Sequence, residues 1–438
     1  MAWMRWEFDS PRLHQTYMKK HLRNLVIKIL WYQVTRLRQK HNPVVIAVAG
    51  SIGKTGTKTA IATVLSEQMT VRWQNGNYND ITSVPLIFFG QKMPPFWNPF
   101  AWLKLLFVTE MQILGSYPYQ VVVVELGSDK PGDMAEFKQY FHADYGVLTA
   151  VSAEHMENFT DIDAVAKEEM YIAELADTVV VDVSAVAKEY SRLLTSPLTV
   201  GEGPYDCRIT SRPLTNRLQR PVVFTLKNGE SYQLKTKILG KQGLPALALA
   251  VLLASKLELT KTEILSGLEK IVPIPGRMQP LMGQKKSLII DDTYNASPDA
   301  VISALNTLYE LPVKNKIAIL GQMNELGKHS EQMHKNIGKH CDPKQLKLVV
   351  TIGEDANKFL AETAEKRGCK VVRCPSPYHA ADVVLTLLNK DTVVLAKGSQ
   401  NGVFAEEAVK ELLLNHNDAT KLVRQSHQWM KIKEGQFS

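Results

Sequence analysis

Cysteine is scarce: only Cys207, Cys341, Cys369 and Cys374 occur in 438 residues. None forms a CxxC pair or has a histidine at zinc-site spacing. That excludes a disulfide scaffold and a structural zinc site, and leaves reduced thiols. No apolar run reaches the ~18 uncharged residues of a membrane-spanning helix. The N-terminus has neither an uninterrupted apolar core nor a small-residue cleavage site, so no secretory leader is expected. Internal repeats and low-complexity segments are also lacking. Acids are nearly missing from the front of the chain. Residues 1–41 hold nine Lys or Arg against Glu7 and Asp9, and so carry +7 of the formal +8. The basic character belongs to this tail, and charge alone does not choose among nucleic acid, a membrane surface and a phosphorylated substrate. What remains is ordinary: 45% apolar and 22% charged residues, enough for two or three well-buried domains.

Asp9-Ser10-Pro11 reads as a helix start. Met18, Leu22, Leu25, Ile29, then Leu30, Val34 and Leu37 follow at three- and four-residue spacing among Lys, Arg and Gln. The expectation is a basic amphipathic helix over residues 1–43, ending before Asn42-Pro43. Apolar runs at Val44–Ala49, Val121–Val124, Tyr145–Val151 and Thr178–Val183 read as buried strands with helices between, the alternation of a mainly parallel α/β sheet. Residues 220–239 read as a β-hairpin around Lys-Asn-Gly-Glu, and Leu244–Leu257 and Lys261–Ile271 as helices. A second, Rossmann-like αβ unit starts near Gly276, with strands expected at Ser287–Ile290, Lys316–Leu320, Lys347–Ile352, Lys370–Val372 and Thr392–Ala396. The chain thus divides into residues 1–43, 44–275 and 276–438.

The strand at 44–49 runs into Gly50-Ser51-Ile52-Gly53-Lys54-Thr55-Gly56 and then a helix. In that context glycines let backbone N–H groups turn toward phosphate oxygens, and the helix N-terminus adds positive potential. Lys54 would neutralise phosphates and Thr55 would offer its hydroxyl to Mg²⁺. Val48 stands where the longer P-loop pattern has its first glycine.

The residues from Val48 to Lys58 resemble the ATP loop of the Mur ligases, which form amide bonds in cell-wall precursors. The likeness is greatest to the D-alanyl-D-alanine-adding branch. It continues through Asn77-Tyr78-Asn79-Asp80, Glu125-Leu126-Gly127, Pro131-Gly132-Asp133, His155 and Ala166-Lys167-Glu168-Glu169. It resumes at Gly276-Arg277, Asp291-Asp292-Thr293-Tyr294-Asn295, Gly321–Gly327 and Lys397-Gly398-Ser399, spanning roughly residues 44–415. The resemblance implies ATP held by Gly50, Ser51, Gly53, Lys54, Thr55, Gly56, Asn79, Arg277, Asp291, Asp292, Tyr294 and Asn295. It implies two Mg²⁺ ions on Thr55, Glu125, His155 and a carbamylated Lys167, with Lys54, His155 and Lys167 in the catalytic set. The residues alone leave alternatives. Glu125 could be a solvated strand end, His155 structural, Lys167 a solvated helix lysine, and the Asp291–Asp292 pair a helix cap. The family's His-Asn…Asn near the adenine is Gln242-Gly243…Ala246 here, and Gln400 replaces an Arg after Lys-Gly-Ser.

In place of the family's uridine-diphosphate-gripping domain stands the basic helix. The stretch Pro94–Trp102 is unusually aromatic and is expected either to pack on that helix or to face a membrane or partner. The reading is an ATP-dependent ligase joining D-Ala-D-Ala, or another dipeptide or amino-acid amine, to a muramyl-peptide acceptor. Two alternatives are the same chemistry on a lipid-linked or atypical precursor, and a non-catalytic nucleotide-binding scaffold. No nucleic-acid partner is expected. The location expected is cytoplasmic, with peripheral membrane contact through residues 1–41 as one option.

Overall fold

The computed structural model describes residues 10–74, 78–95, 97–215 and 217–437, with first-helix side chains from residue 23 onward. The expected Asp9 cap lies outside the described residues. Helix α1 runs from Ser10 to His41. It stops where expected: Asn42 takes the left-handed conformation (φ 46°) and Pro43 cannot continue a helix.

The first sheet has nine strands: β1 Val44–Ala49, β2 Val71–Arg72, β3 Val121–Glu125, β4 Ala143–Leu148, β5 Ala176–Asp182, β6 Leu198–Gly201, β7 Cys207–Ser211, β8 Arg220–Leu226 and β9 Ser231–Thr236. Their spatial order is β2-β3-β1-β4-β5-β6-β7-β8-β9, parallel as far as β7 and antiparallel through β8 and β9. β1 lies between β3 and β4, so the chain leaves it toward opposite sides and opens a crevice at its C-terminal end. β1 is buried on both faces, which is why it reads as a continuous apolar run. Ile46 and Val48 face α2 (Lys54–Leu65) and the helix Leu244–Lys256. Val45, Ala47 and Ala49 face α1 and α3 (Val84–Phe89).

The second sheet comprises β10 Gln279–Met282, β11 Leu288–Asp292, β12 Asn315–Gly321, β13 Leu346–Ile352, β14 Val371–Cys374 and β15 Thr392–Lys397, in the order β10-β11-β15-β12-β13-β14. Only β10 is antiparallel, an edge strand whose Pro280 suits that position. β2, β6, β7 and β10 escaped the sequence reading. They are short, and β10 contains a proline.

α1 buries Leu30, Val34 and Leu37 of the expected stripe but not Leu25, and Ile27 and Trp31 are inside as well. Trp31 donates its indole N–H to the Ile81 carbonyl (2.9 Å) and meets Phe137, Tyr140 and Phe141. The aromatic stretch, with Phe96 outside the described residues, opens helix α4, Pro99–Leu114, which is capped by Asn98. Its Trp102 packs with Leu30 and Leu105, while Trp97 and Phe100 face outward. α5 (Asp133–Phe137) and α6 (Ile162–Glu169) complete the surroundings of the crevice. Among the described residues no helix is long and apolar enough to cross a membrane.

Candidate active site

The loop after β1 is held from β4. The Thr149 hydroxyl donates to the carbonyls of Ala49 (3.1 Å) and Ile52 (2.7 Å), and Ser51 N–H donates to the Ala150 carbonyl (2.9 Å). Gly50 has φ 125°, and a Cβ there would lie 2.2 Å from the Thr149 hydroxyl, so only glycine fits. A Cβ on Gly56 would meet nothing within 4 Å, which marks the open side of the first α2 turn. Lys54 bends back to the Gly50 carbonyl (2.5 Å) and the Ser51 carbonyl (3.4 Å).

Carboxylates surround that ammonium. Burial acts to lower the Lys54 pKa, but the field of Glu169, Glu154, Glu125 and Asp129 outweighs it and holds the pKa above its ordinary value. Glu125 ends β3. It accepts from the Thr55 hydroxyl (3.2 Å) and pairs with Lys58 (2.9 Å), whose side chain is 1% exposed. Glu169 accepts from the Ser128 hydroxyl (2.7 Å) with one oxygen, while its other oxygen is buried without a hydrogen-bond partner. Burial raises the pKa of both Glu169 and Glu154.

An acid set with one unpartnered buried oxygen, beside a hydroxyl at a P-loop helix start, fits a divalent cation. Among the described residues no three His, Cys, Asp or Glu side chains form a ready metal cage. Mg²⁺ needs none, because one or two carboxylates with waters and phosphates suffice. Thr55, Glu125 and Glu169 would hold it.

The structure does not bring Lys167 into this group. α6 turns Val165, Ala166, Glu168 and Glu169 inward and leaves Lys167 exposed, so the desolvation that favours a neutral amine is missing there. Glu168 instead accepts from the N–H groups of Gly132 and Met134 at the start of α5. His155 points to the second unit: Nδ1 is 2.8 Å from Glu325 and Nε2 3.5 Å from Asp129. Its φ is 53°, a strained value that this contact helps to hold. The Glu325 hydrogen bond raises the His155 pKa against the effect of burial, and the same bond lowers that of Glu325.

The second unit presents its own strand ends to the crevice. The Ser152 hydroxyl donates to Asp299 (2.7 Å), and Glu157 N–H donates to the Glu325 carbonyl (3.1 Å). The Arg277 guanidinium lies 4.2 Å from the Tyr294 ring centroid and contributes to the field at Glu154. Asp292 pairs with buried Lys397 (2.7 Å) and accepts from Met278 N–H (3.0 Å); Lys397 also donates to the Asn295 carbonyl (2.9 Å). Asp291 is buried on Thr293, and burial pushes its pKa up to about 6. Neither aspartate caps the following helix, whose N-cap residue is Ser297. Asn79 lies against Gly127, where a Cβ would come within 2.7 Å of the Asn79 side chain, and accepts from Gly127 N–H (2.8 Å). Both line a cleft of about 320 Å³ with Arg23, Asp129, Lys130 and Asn158.

The sequence reading missed Lys58, Ser128, Glu154, Glu169 and Glu325 as partners of this site. Lys58 could have been found from its position one helical turn after Lys54. Glu168 and Glu169 are adjacent acids at the end of a short helix, and that pattern says nothing of burial.

The Mur ligase middle domain model matches residues 48–254, and the model described as Mur ligase, glutamate ligase domain matches residues 276–400. UDP-N-acetylmuramoyl-tripeptide--D-alanyl-D-alanine ligase of Haemophilus influenzae is 24% identical over 381 residues, covering 83% of this chain and 76% of the relative. The Bacillus subtilis protein of the same name is 25% identical over 375 residues, covering 84% and 76%. MurF from Acinetobacter baumannii superposes with a TM-score of 0.73 at 22% identity, over 89% of this chain and 80% of that one. MurF from Thermotoga maritima in complex with ADP gives 0.71 at 22% identity, over 89% and 83%. With the two family models in tandem, one on each sheet, the chain belongs to the Mur ligase family.

Proposed function

We propose that the chain is an ATP-dependent carbon–nitrogen ligase that adds D-alanyl-D-alanine to a muramyl-peptide through an acyl phosphate. The observation that carries this is Lys54 set among Glu125, Glu154 and Glu169 at the crevice between the two units. The names of the relatives support the substrates. An acceptor carboxylate attacks the γ-phosphate of ATP, and the amine then displaces phosphate from the acyl phosphate. Bound Mg²⁺ would offset the negative charge of the phosphates. Lys54 leaves the Gly50 and Ser51 carbonyls to meet the transferring group, and Thr55, Glu125 and Glu169 would hold the cation. Burial raises the pKa of Glu154 and Glu169, and a bound Mg²⁺ would offset the negative charge that they and the phosphates bring together. Arg277, stacked on Tyr294, reaches toward the phosphates from the second unit. The Ser152–Asp299 and His155–Glu325 contacts hold the units together and keep water from the acyl phosphate.

A carbamate on Lys167 would add an anion to this set. Its support is the Ala166–Glu169 pattern, and it requires α6 to carry that side chain in from solvent. A second reading keeps the chemistry and changes the acceptor to a lipid-linked precursor handled at the inner face of the membrane. Arg23 of α1 favours it, since it places a cation in the cleft beside Asn79. The test is ADP release with muramyl-peptide acceptors, with and without D-Ala-D-Ala. Turnover that ignores the amine would sink the ligase reading.

A further inference from the structure

α4 shows solvent a face that a helix in a water-soluble protein ordinarily keeps polar. Phe100, Leu103, Phe107, Met111 and Leu114 are all exposed and recur at three- and four-residue spacing, so they form one stripe along the whole ~24 Å helix. Trp97, 82% exposed, extends it past the N-terminus. The opposite face of α4 holds Trp102, Leu105, Thr109 and Ile113 against α1 and the sheet, so the stripe is not a misassigned core. α1 lies alongside, joined through Gln33–Thr109 (2.8 Å) and Arg36–Glu110 (2.7 Å). Its own Leu25 and Tyr32 are exposed as well. Together the two helices make one apolar outer layer.

The charge of that layer selects its occupant. α1 contains no acid from Ser10 to His41. Glu110 is the only acid of α4, and Arg36 neutralises it. Lys28, Lys40 and Lys104 are exposed around the stripe. The segment preceding α1 adds the aromatics Trp3, Trp6 and Phe8 in sequence, with Arg5 set against Glu7 and Asp9. A second copy of the chain would bring identical cations face to face. Apolar and aromatic side chains beside lysines that make no ion pair among the described residues match the interface of an anionic bilayer, where rings enter the acyl boundary and ammonium groups meet headgroup phosphates. We infer that the α1–α4 layer is a docking surface for anionic membrane, with the α4 stripe, and not the basic N-terminus alone, as its inserting element. The surface is independent of the ligase reading, although it would bring the Arg23 cleft close to a membrane-borne acceptor.

The experiment is co-sedimentation of the full-length protein with phosphatidylglycerol vesicles and with phosphatidylcholine vesicles, alongside Phe100→Ser/Phe107→Ser. Both phenylalanines are solvent-facing, so the variant keeps its fold, and circular dichroism checks this. The wild type sediments with phosphatidylglycerol and not with phosphatidylcholine, and salt weakens the binding. The double variant loses about tenfold or more in partition coefficient. Its ADP release on a soluble acceptor is unchanged, so a failed ligase assay and a failed docking assay are told apart. Wild type that stays in the supernatant with phosphatidylglycerol overturns the inference. So does a variant that binds as well as wild type, which would leave docking to residues 1–41. A wild-type dimer in light scattering that Phe107→Ser dissolves would also overturn it, by giving the face to a second copy.

Discussion

The Lys54 ammonium lies 2.5 Å from the carbonyl oxygen of Gly50, folded over the loop that it serves. These two residues close the phosphate cradle with the chain's own cation while holding that cation among carboxylates. Lys54→Ala should therefore leave the fold intact and abolish function. We expect amine-dependent ADP release to fall by at least about 10²–10³-fold, the usual effect of losing a preorganised charge at a transferring group. Unchanged turnover in steady-state assays would remove Lys54 from the mechanism.

Lys58 and Glu125 form a nearly water-free pair at 2.9 Å. Glu125→Gln leaves a buried ammonium without its counter-ion and should cost about 3–5 kcal/mol in urea unfolding. Glu125→Gln with Lys58→Met should recover most of that loss, because neither buried charge remains. Activity should stay low in both variants, since Glu125 also serves Thr55. A double variant no more stable than the single would show that the pair is not coupled.

His155 and Glu325 give a stability window in pH. The His155 pKa is raised above 6.5, so its contribution is full below that value and is lost as pH rises through the folded pKa. The Glu325 pKa is lowered below 4.5, so its contribution is present above that value and is lost as pH falls through the folded pKa. The stability difference between wild type and Glu325→Gln should therefore be largest between about 4.5 and 6.5. It should be below about 1 kcal/mol, because both side chains are partly exposed. Denaturant titrations across pH 4–9 that give a flat difference would contradict this.

Trp31 is 1% exposed and reaches Ile81, Phe137, Tyr140 and Phe141. Trp31→Ala should destabilise the first unit by about 3–5 kcal/mol. A loss under 1 kcal/mol would mean that α1 is an appendage.

The strands that flank the site could be read because parallel strands buried on both faces are runs of valine and isoleucine. β1 was read to the residue, and β3 ends at Glu125 as expected. The loop was legible from Gly50, Gly53 and Lys54. What surrounds Lys54 was not, since Asp129, Glu154 and Glu169 come from separate segments and only tertiary packing brings them together. Lys167 and Glu169 show the limit sharply: two positions on one helix, one outside and one inside. α4 was read only as an aromatic stretch, although Asn98-Pro99 is a good helix start. In α1 two adjacent apolar faces compete, so spacing alone placed Leu25 inside and overlooked Ile27 and Trp31.

α1 has a consequence for synthesis. Trp31 bonds a carbonyl 50 residues downstream, and Arg38 pairs with Asp144, 106 residues downstream. At translation rates of roughly 5–20 residues per second, the helix leaves the ribosome some 5–20 s before its last partners exist. During that interval Leu30, Trp31 and Val34 have no core to enter, while the neighbouring lysines and arginines keep the nascent segment soluble and attractive to polyanions. The nascent chain is thus vulnerable at α1, and holding factors that bind basic, tryptophan-bearing helices should be caught there in arrested ribosome complexes.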